Sequence, residues 1–291
     1  MSKNKYYKPP PKSGKSRTEV EGQRIFTRIA FRNSSEGGVL VEITGSQGSG
    51  KTSVMLSFAN YFSKNYPNER VYWSNTYDAP IQVLKLEDDD YCILVQKGAG
   101  ITFHDRDKKL KRIYPNVIEF DGFNDLYQKT ELGKVNCVFF GDRIKWMDFI
   151  HYLRSTGEWS SIFIDEMSEI ASGYSCGNDW KKIGQFATDL KEVRKCLMNV
   201  VTNTQSVSDV DHRIRTKVMI KIFLPGSRAD SHSRIEQTAL DNLHEDKVNG
   251  NSAYIEYSGK FGLIEFSDIF KPRKHRNWEA KVNFKKTGGK E

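Results

Sequence analysis

One stretch of the chain has residue types and spacing suited to holding a chain of phosphates. It matches the pattern G-x-x-x-x-G-K-[ST] at every fixed position, and it reads Gly45-Ser46-Gln47-Gly48-Ser49-Gly50-Lys51-Thr52. The glycines let the backbone curl so that its N–H groups point at phosphate oxygens, and the helix that follows aims its positive end at them. Lys51 would neutralise charge on the β- and γ-phosphates, and the Thr52 hydroxyl would ligate Mg²⁺. The segment from Gly45 to Ser53 is therefore predicted to bind ATP together with Mg²⁺.

Two adjacent carboxylates lie at the end of an apolar strand further along the chain. The run Ser161–Ile164 is followed directly by Asp165 and Glu166. Asp165 is predicted to hold Mg²⁺, directly or through water, and Glu166 to orient and deprotonate an attacking water molecule. The simpler alternative is that the two acids cap a turn. A rival metal ligand is Asp142, which also follows an apolar strand but has no second acid after it.

Polar and basic residues after the next strand would complete such a site. Gln205 ends the run Val200–Thr204 and could sense the γ-phosphate or the attacking water, although polar residues at strand ends are common. Arginines that could stabilise the phosphoryl group transferred at the site of a neighbouring subunit follow Gln205. They are Arg213 and Arg215, with Arg228 as a weaker candidate, and the alternative is a solvated basic turn with local ion pairs.

Strands alternate with helices along the chain, which predicts an α/β fold with a mainly parallel sheet flanked by helices. Met55, Phe58, Ala59 and Phe62 share one face of the helix after the phosphate-binding segment. Residues 84–115 contain two short strand-like runs, Tyr91–Gln96 and Ile101–His104, and are interpreted as a small inserted β-hairpin. Ligands bind such sheets at the carboxyl ends of the strands, where all the predicted site residues lie.

Composition indicates one core domain, residues 31–270, between two basic tails, residues 1–30 and 271–291. The chain has 291 residues, 37% of them hydrophobic, and a net charge of +8. Residues 1–28 and 271–291 each carry a net charge of +6, so the stretch between them is −4. Disordered basic ends suit an anionic polymer such as DNA or RNA, although they could simply be solubilising.

The chain shows no sequence sign of secretion or membrane insertion. Its N-terminus lacks the apolar stretch of a signal peptide, and no apolar run approaches the roughly 20 residues of a membrane span. The four cysteines lack the spacing of zinc ligands, and they are Cys92, Cys137, Cys176 and Cys196. These features predict a reduced, cytoplasmic setting.

The phosphate-binding segment, the Asp165-Glu166 strand, the Gln205 strand and the turn Val210–Arg215 together resemble the FtsK/HerA superfamily of DNA-pumping ATPases. The short length is similar to its viral genome-packaging branch. The resemblance covers roughly residues 35–230. It implies a RecA-like additional-strand P-loop NTPase fold, a homo-oligomeric ring (commonly a hexamer) and ATP-driven movement of double-stranded DNA. For a viral member it implies a place in the host cytoplasm or virion, with a capsid or membrane-associated protein as a further partner.

Two other functions remain open at this point. One is a protein that uses ATP as a switch or for assembly, without pumping DNA. The other is a P-loop kinase, which Glu166 argues against because nucleotide kinases generally do not place a glutamate directly after the metal-binding aspartate. ATP turnover measured with and without double-stranded DNA separates the three functions.

Overall fold

The structure is a computed structural model that describes residues 17–30, 37–75, 81–105, 117–204, 207–229, 233–245, 252–265 and 278–284. The helices are α1 Arg17–Ala30, α2 Lys51–Asn65, α3 Gly122–Lys129, α4 Lys145–Leu153, α5 Gly177–Glu192, α6 His212–Arg215 and α7 Gln237–Glu245. The strands are β1 Leu40–Thr44, β2 Arg70–Ser74, β3 Tyr91–Gln96, β4 Ala99–Asp105, β5 Val117–Phe120, β6 Val135–Phe139, β7 Ser160–Ile164, β8 Met198–Thr204, β9 Ile220–Phe223, β10 Ser252–Tyr257, β11 Lys260–Glu265 and β12 Trp278–Phe284.

Ten of these strands form one sheet in the order β11-β10-β9-β1-β8-β7-β2-β6-β3-β5. Every neighbouring pair from β9 to β5 is parallel, and only the hairpin β10–β11 joins the β9 edge in antiparallel fashion. Strand β8 lies between β1, which precedes the phosphate-binding segment, and β7, which precedes Asp165. This is the additional-strand arrangement that the resemblance implies, and the predicted α/β fold with a mainly parallel sheet is confirmed.

Helices cover both faces of the sheet, because successive residues of a buried parallel strand point to opposite sides. Val41 and Ile43 of β1 pack with α1 and α2 in one apolar cluster. Leu40 packs in a second cluster on the other face, with α4 and α5. The predicted apolar face of α2 is buried throughout, so this helix is fixed firmly against the centre of the sheet.

The inserted hairpin predicted within residues 84–115 is wrong. Both strands exist, but β3 pairs in parallel with β5 and β6 inside the main sheet, whereas β4 pairs antiparallel with β12 in a separate two-stranded sheet. The physical reason is burial: Cys92–Val95 is apolar and buried, which suits an interior strand better than a surface hairpin. Residues 106–116 lie outside the described residues.

Parts of the two predicted basic tails have regular secondary structure. Residues 17–30 of the predicted tail 1–30 form helix α1, with Gly22, Ile25 and Ile29 buried at helical spacing against β10 and β11. The approach is close, since a methyl group on Gly22 would lie 2.2 Å from the Leu263 carbonyl oxygen. Within the predicted tail 271–291, residues 278–284 form β12. Residues 1–16, 266–277 and 285–291 lie outside the described residues.

None of the helices in the described part of the chain is both long enough and apolar enough to cross a membrane.

Candidate active site

The segment Gly45–Thr52 leaves the carboxyl end of β1 and leads into α2, as the sequence predicts for a phosphate-binding loop. Gly48 and Gly50 have φ values of 78° and 93°, a left-handed conformation that residues with a Cβ rarely adopt. The Lys51 ammonium group lies inside the curl, where it donates to the carbonyl oxygens of Gly45, 2.9 Å away, and Ser46, 3.0 Å away. The loop is therefore already folded around the cation that would meet the phosphates.

A turn after β9 supports the outer side of this loop. The Ser46 backbone N–H and hydroxyl both donate to the Pro225 carbonyl oxygen, each at 3.2 Å. Gly226 passes so close that a methyl group there would lie 2.5 Å from Ser46 Oγ. Inside the loop, Ser49 Oγ is buried and has no hydrogen-bond partner among the described residues. A bound phosphate oxygen would supply the partner that this hydroxyl lacks.

Asp165 connects three elements at the edge of the sheet. Its Oδ1 atom accepts a hydrogen bond from the Thr52 hydroxyl of α2 at 3.1 Å and another from the Asn203 amide of β8 at 2.6 Å. The Asn203 side-chain oxygen in turn accepts the Glu166 backbone N–H at 3.1 Å. One asparagine thus holds both members of the Asp165-Glu166 pair, with its amide orientation assigned from these contacts.

Glu166 has a backbone conformation that is unusual for a residue with a side chain, with φ 68° and ψ 86°. Such a conformation typically costs about 1–3 kcal/mol and is common at functional sites. Its carboxylate accepts hydrogen bonds from Ser168 Oγ at 2.6 Å and from Thr204 Oγ1 at 3.3 Å. The glutamate is therefore held in one orientation by residues on both sides of it.

Burial and charge act against each other at this site. Burial raises the pKa of Asp165, while the hydrogen bonds from Asn203 and Thr52 lower it. Burial lowers the pKa of Lys51, and the carboxylates of Glu166 and Asp165 raise it. Burial also raises the pKa of Glu169, against the ion pair in which Arg143 lies 2.5 Å from it. A cluster of this kind is typical of functional sites, because charges are kept partly buried and close together.

The residues present fit the Mg²⁺ that the fold family implies. Thr52 and Asp165 offer adjacent hydroxyl and carboxylate oxygens, which are hard ligands of the kind that Mg²⁺ prefers. The charges of both carboxylates act on Lys51, which itself donates to backbone carbonyl oxygens of the loop rather than to Asp165. Thr52 and Asp165 are the residues that would hold the metal, beside the phosphates in the loop.

Asp142, the rival metal ligand, lies elsewhere. It follows β6, and β2 separates β6 from β7 in the sheet, which places it two strand spacings, or roughly 10 Å, from Asp165. Its Oδ1 atom accepts the Ile144 backbone N–H at 3.0 Å and so caps its own turn. No contact joins it to the phosphate-binding loop within the described part of the chain. Gln205, the predicted sensor, lies outside the described residues.

The three candidate arginines have different surroundings. Arg213 donates two hydrogen bonds to the buried Asp211, at 2.9 and 2.8 Å, and its guanidinium group lies 4.4 Å from the centre of the Trp180 ring. Arg215 is half-buried, and its Nε atom has no hydrogen-bond partner among the described residues. Arg228 is exposed at the end of the turn that supports Ser46. Arg213 is therefore engaged within its own chain, and the other two are less committed.

Sequence reasoning missed Asn203, although the signal was present. An asparagine within the buried run Val200–Thr204 must find hydrogen-bond partners, because an unpaired buried amide is costly. Its position directly before the end of β8 placed those partners at the carboxyl edge, beside Asp165.

Replacing Asn203 with leucine tests whether this residue positions the carboxylate pair. The variant leaves the Glu166 N–H and the Asp165 carboxylate without a shared partner, and each lost contact of this kind is worth about 1–3 kcal/mol. We expect the kcat for ATP turnover to fall by about 10- to 100-fold.

The matched control is Asn199→Leu, a buried asparagine on the same strand that binds the Val39 N–H and Ser161 Oγ at the opposite end. It should lower the thermal stability of the protein but leave kcat within about threefold of the wild type. Equal kcat losses in the two variants would show that Asn203 contributes only to folding.

No protein-family model matches the chain, and no curated protein does. Among solved structures, the chain is similar to the genome packaging NTPase B204 from Sulfolobus turreted icosahedral virus 2 in complex with ATP-gammaS. The identity is 12%, the TM-score is 0.43, and the match covers 80% of this chain and 98% of that one. The N-terminal domain of zonular occludens toxin from Neisseria meningitidis matches with 14% identity and a TM-score of 0.36, over 80% of this chain and 97% of that chain.

The pCW3 conjugation coupling protein TcpA matches with 8% identity and a TM-score of 0.43, over 79% of this chain and 60% of that chain. Such low TM-scores and identities transfer no function to this chain. The order of the strands and the phosphate-binding loop are those of a RecA-like P-loop NTPase fold.

Proposed function

We propose that the chain hydrolyses ATP and uses the energy to move double-stranded DNA as part of a homo-oligomeric ring. The hydrolytic part is supported above all by the contact between Thr52 and Asp165, 3.1 Å apart. This contact joins the end of the phosphate-binding loop to the strand that carries Glu166. A metal-bound triphosphate in the loop would then have its terminal phosphate beside a carboxylate able to activate water.

Each residue has a distinct proposed part in the reaction. The backbone N–H groups of residues 45–52 would hold the phosphates, and Lys51 would exchange its two carbonyl contacts for phosphate oxygens. Bound Mg²⁺ would neutralise charge on the phosphates. Glu166 would accept a proton from the attacking water, in an orientation kept by Ser168 and Thr204. Gln205, directly after β8, would contact the terminal phosphate or the water.

Hydrolysis fits this site better than transfer to a second substrate. Asn203 binds both the Glu166 backbone N–H and the Asp165 carboxylate. The proposed base, Glu166, is therefore held at a fixed position relative to Asp165, the residue that would hold the metal. A kinase would need an acceptor in that position. An ATP-dependent switch remains the second candidate, and it differs in turning over negligibly with or without DNA.

The DNA part of the proposal rests on charge and on the resemblance of the sequence to DNA-pumping ATPases. The net charge of +6 at each end of the chain would neutralise phosphates of the nucleic acid and release counterions. Of these ends, α1 lies against the β10–β11 hairpin. This helix carries three of the eight basic residues of its end, Arg17, Arg24 and Arg28, and fixes them at one edge of the sheet.

Three measurements of steady-state ATP turnover test the catalytic assignment. Glu166→Gln should lower kcat by roughly 10²- to 10⁴-fold while ATPγS still binds, because the loss of a general base affects the chemical step. Asp142→Asn should leave turnover close to that of the wild type, since Asp142 only caps a local turn. Double-stranded DNA should stimulate the wild type.

A larger loss in Asp142→Asn than in Glu166→Gln would show that the wrong strand was assigned. Negligible turnover with and without DNA, together with intact ATPγS binding, would favour the switch over the motor. Substantial turnover that DNA leaves unchanged would contradict the DNA part of the proposal.

We further propose that Arg215 acts on the nucleotide of a neighbouring subunit. Arg213 is held by Asp211 and Trp180, whereas Arg215 has a buried Nε atom without a partner among the described residues.

Mixing two inactive variants tests this role of Arg215. Lys51→Ala and Arg215→Ala should each be inactive alone. Mixed, they should recover part of the ATP turnover, because some interfaces then pair an intact phosphate-binding loop with an intact arginine. An arginine of this type contributes about 10³- to 10⁵-fold in rate, so a few repaired interfaces would be visible.

Arg213→Ala serves as the comparison. It leaves the buried Asp211 carboxylate without its bidentate partner, so we expect a lower melting temperature and no rescue on mixing. If mixed oligomers of the Lys51 and Arg215 variants form but stay inactive, Arg215 does not act across an interface.

A further inference from the structure

The 3₁₀ turn Gln82–Lys85 ends in a lysine, and a hydrogen bond from Gln82 to Asn75 fixes the turn near the carboxyl edge of the sheet. It follows β2, which pairs in parallel with β7 so that Ser74 is opposite Ile164. The chain leaving β2 therefore emerges at the same edge of the sheet as Asp165, which directly follows Ile164. In the sheet order β1-β8-β7-β2, Asn75 at the end of β2 lies beyond Asp165 as seen from the phosphate-binding loop, and the turn is bound to Asn75.

This turn is firmly anchored. Ile81, Val83 and Leu84 are buried in the core cluster that also contains α2. The buried Asn75, at the end of β2, accepts the Gln82 backbone N–H on its side-chain oxygen at 3.3 Å. The apolar residues thus fix the turn from one side, and the position of Lys85 is set by the core rather than by a loose loop.

Lys85 is half-buried without a carboxylate that neutralises it directly. Its ammonium group donates to the side-chain oxygen of Gln82 at 2.5 Å, and within the described ranges no carboxylate lies in ion-pair distance of it. The charges of Lys85 and Asp165 nevertheless act on each other. Burial lowers the pKa of Lys85, whereas the negative charge of Asp165 raises it. The positive charge of Lys85 in turn lowers the pKa of Asp165. Among the described residues the ammonium group of Lys85 has a neutral amide as its hydrogen-bond partner, so an anion placed beside it would compensate the cost of its partial burial.

Two ammonium groups from different elements therefore act on Asp165. Lys51 approaches from the phosphate-binding loop and Lys85 from the end of β2. ATP with one Mg²⁺ adds net negative charge between them. Metal beside Asp165 would also remove the attraction that this carboxylate exerts on Lys85. The flexible four-carbon stem of a lysine allows its ammonium group to turn from Gln82 toward a phosphate.

We propose that Lys85 is a second lysine of the nucleotide site, which contacts the terminal phosphate of bound ATP from the side opposite Lys51. This inference rests on the proposed function, because it requires that ATP binds with its terminal phosphate beside Asp165. The contact distinguishes ATP from ADP, since only ATP carries a phosphate at that end.

The test compares the affinities of Mg²⁺-ATPγS and Mg²⁺-ADP, measured by isothermal titration calorimetry on the full chain. Lys85→Met should weaken ATPγS binding by about 10-fold or more but ADP binding by less than about twofold, as expected for one charge-assisted hydrogen bond to the third phosphate. Lys85→Arg should keep ATPγS affinity within about threefold of the wild type, because it retains the charge.

Lys145→Met is the matched control. The Lys145 ammonium group also donates to a glutamine side-chain oxygen, that of Gln96 at 3.1 Å, but it lies at the start of α4, away from Asp165. It should change neither affinity. If Lys85→Met does not fold, Lys85→Gln removes the charge while keeping a polar group and supplies the same comparison.

Equal effects of the uncharged Lys85 variants on ATPγS and ADP, or no effect on either, would overturn the inference. So would an arginine variant as weak as the methionine variant. A wild-type protein that fails to bind ATPγS at all would instead contradict the proposed function, so the two failures are distinguishable.

Discussion

The site depends on one oxygen atom of a half-buried side chain, Oδ1 of Asp165, which accepts hydrogen bonds from Thr52 and Asn203. Through it, helix α2 and strands β7 and β8 meet at a single point. Burial raises the pKa of Asp165, and the hydrogen bonds from two donors, each on a different element, lower it and so favour the ionised carboxylate. If either donor moved, the phosphate-binding loop and Glu166 would no longer share a fixed geometry.

The rest of the architecture serves this convergence. Parallel pairing of β1, β8 and β7 brings their carboxyl ends to one edge, so that residues more than a hundred positions apart come into contact. Helix α2 is held by its buried aromatic face, which fixes where Thr52 points. The left-handed Glu166 is tolerated because Asn203 binds its N–H and two hydroxyl groups hold its carboxylate. The residue with the unfavourable backbone conformation is thus also the one held by these three hydrogen bonds.

Local features of the site were predictable from the sequence, and its non-local contacts were not. The phosphate-binding loop and the buried face of α2 follow from residue type and helical spacing, which depend on neighbouring residues only. The assignment of β3 and β4 to a hairpin failed because the short turn at Lys97-Gly98 resembles a hairpin connection. Strand β3 instead pairs in parallel with β6, because its apolar residues are buried on both faces of the sheet. Helix α1 was missed because its many charges hide the spacing of Gly22, Ile25 and Ile29. Lys85 could not be found at all, since its link to Asp165 exists only through the order of strands in the sheet.

The most direct test of the account is to locate the metal. Crystals grown with ATPγS and Mn²⁺ should show one anomalous peak at the metal, beside the Thr52 hydroxyl and the Asp165 carboxylate, with the phosphates enclosed by residues 45–52. Thr52 and Asp165 are already adjacent, so little rearrangement is needed. A peak beside Asp142, or nucleotide density away from the phosphate-binding loop, would contradict the assignment of the site and the hydrolytic mechanism built on it.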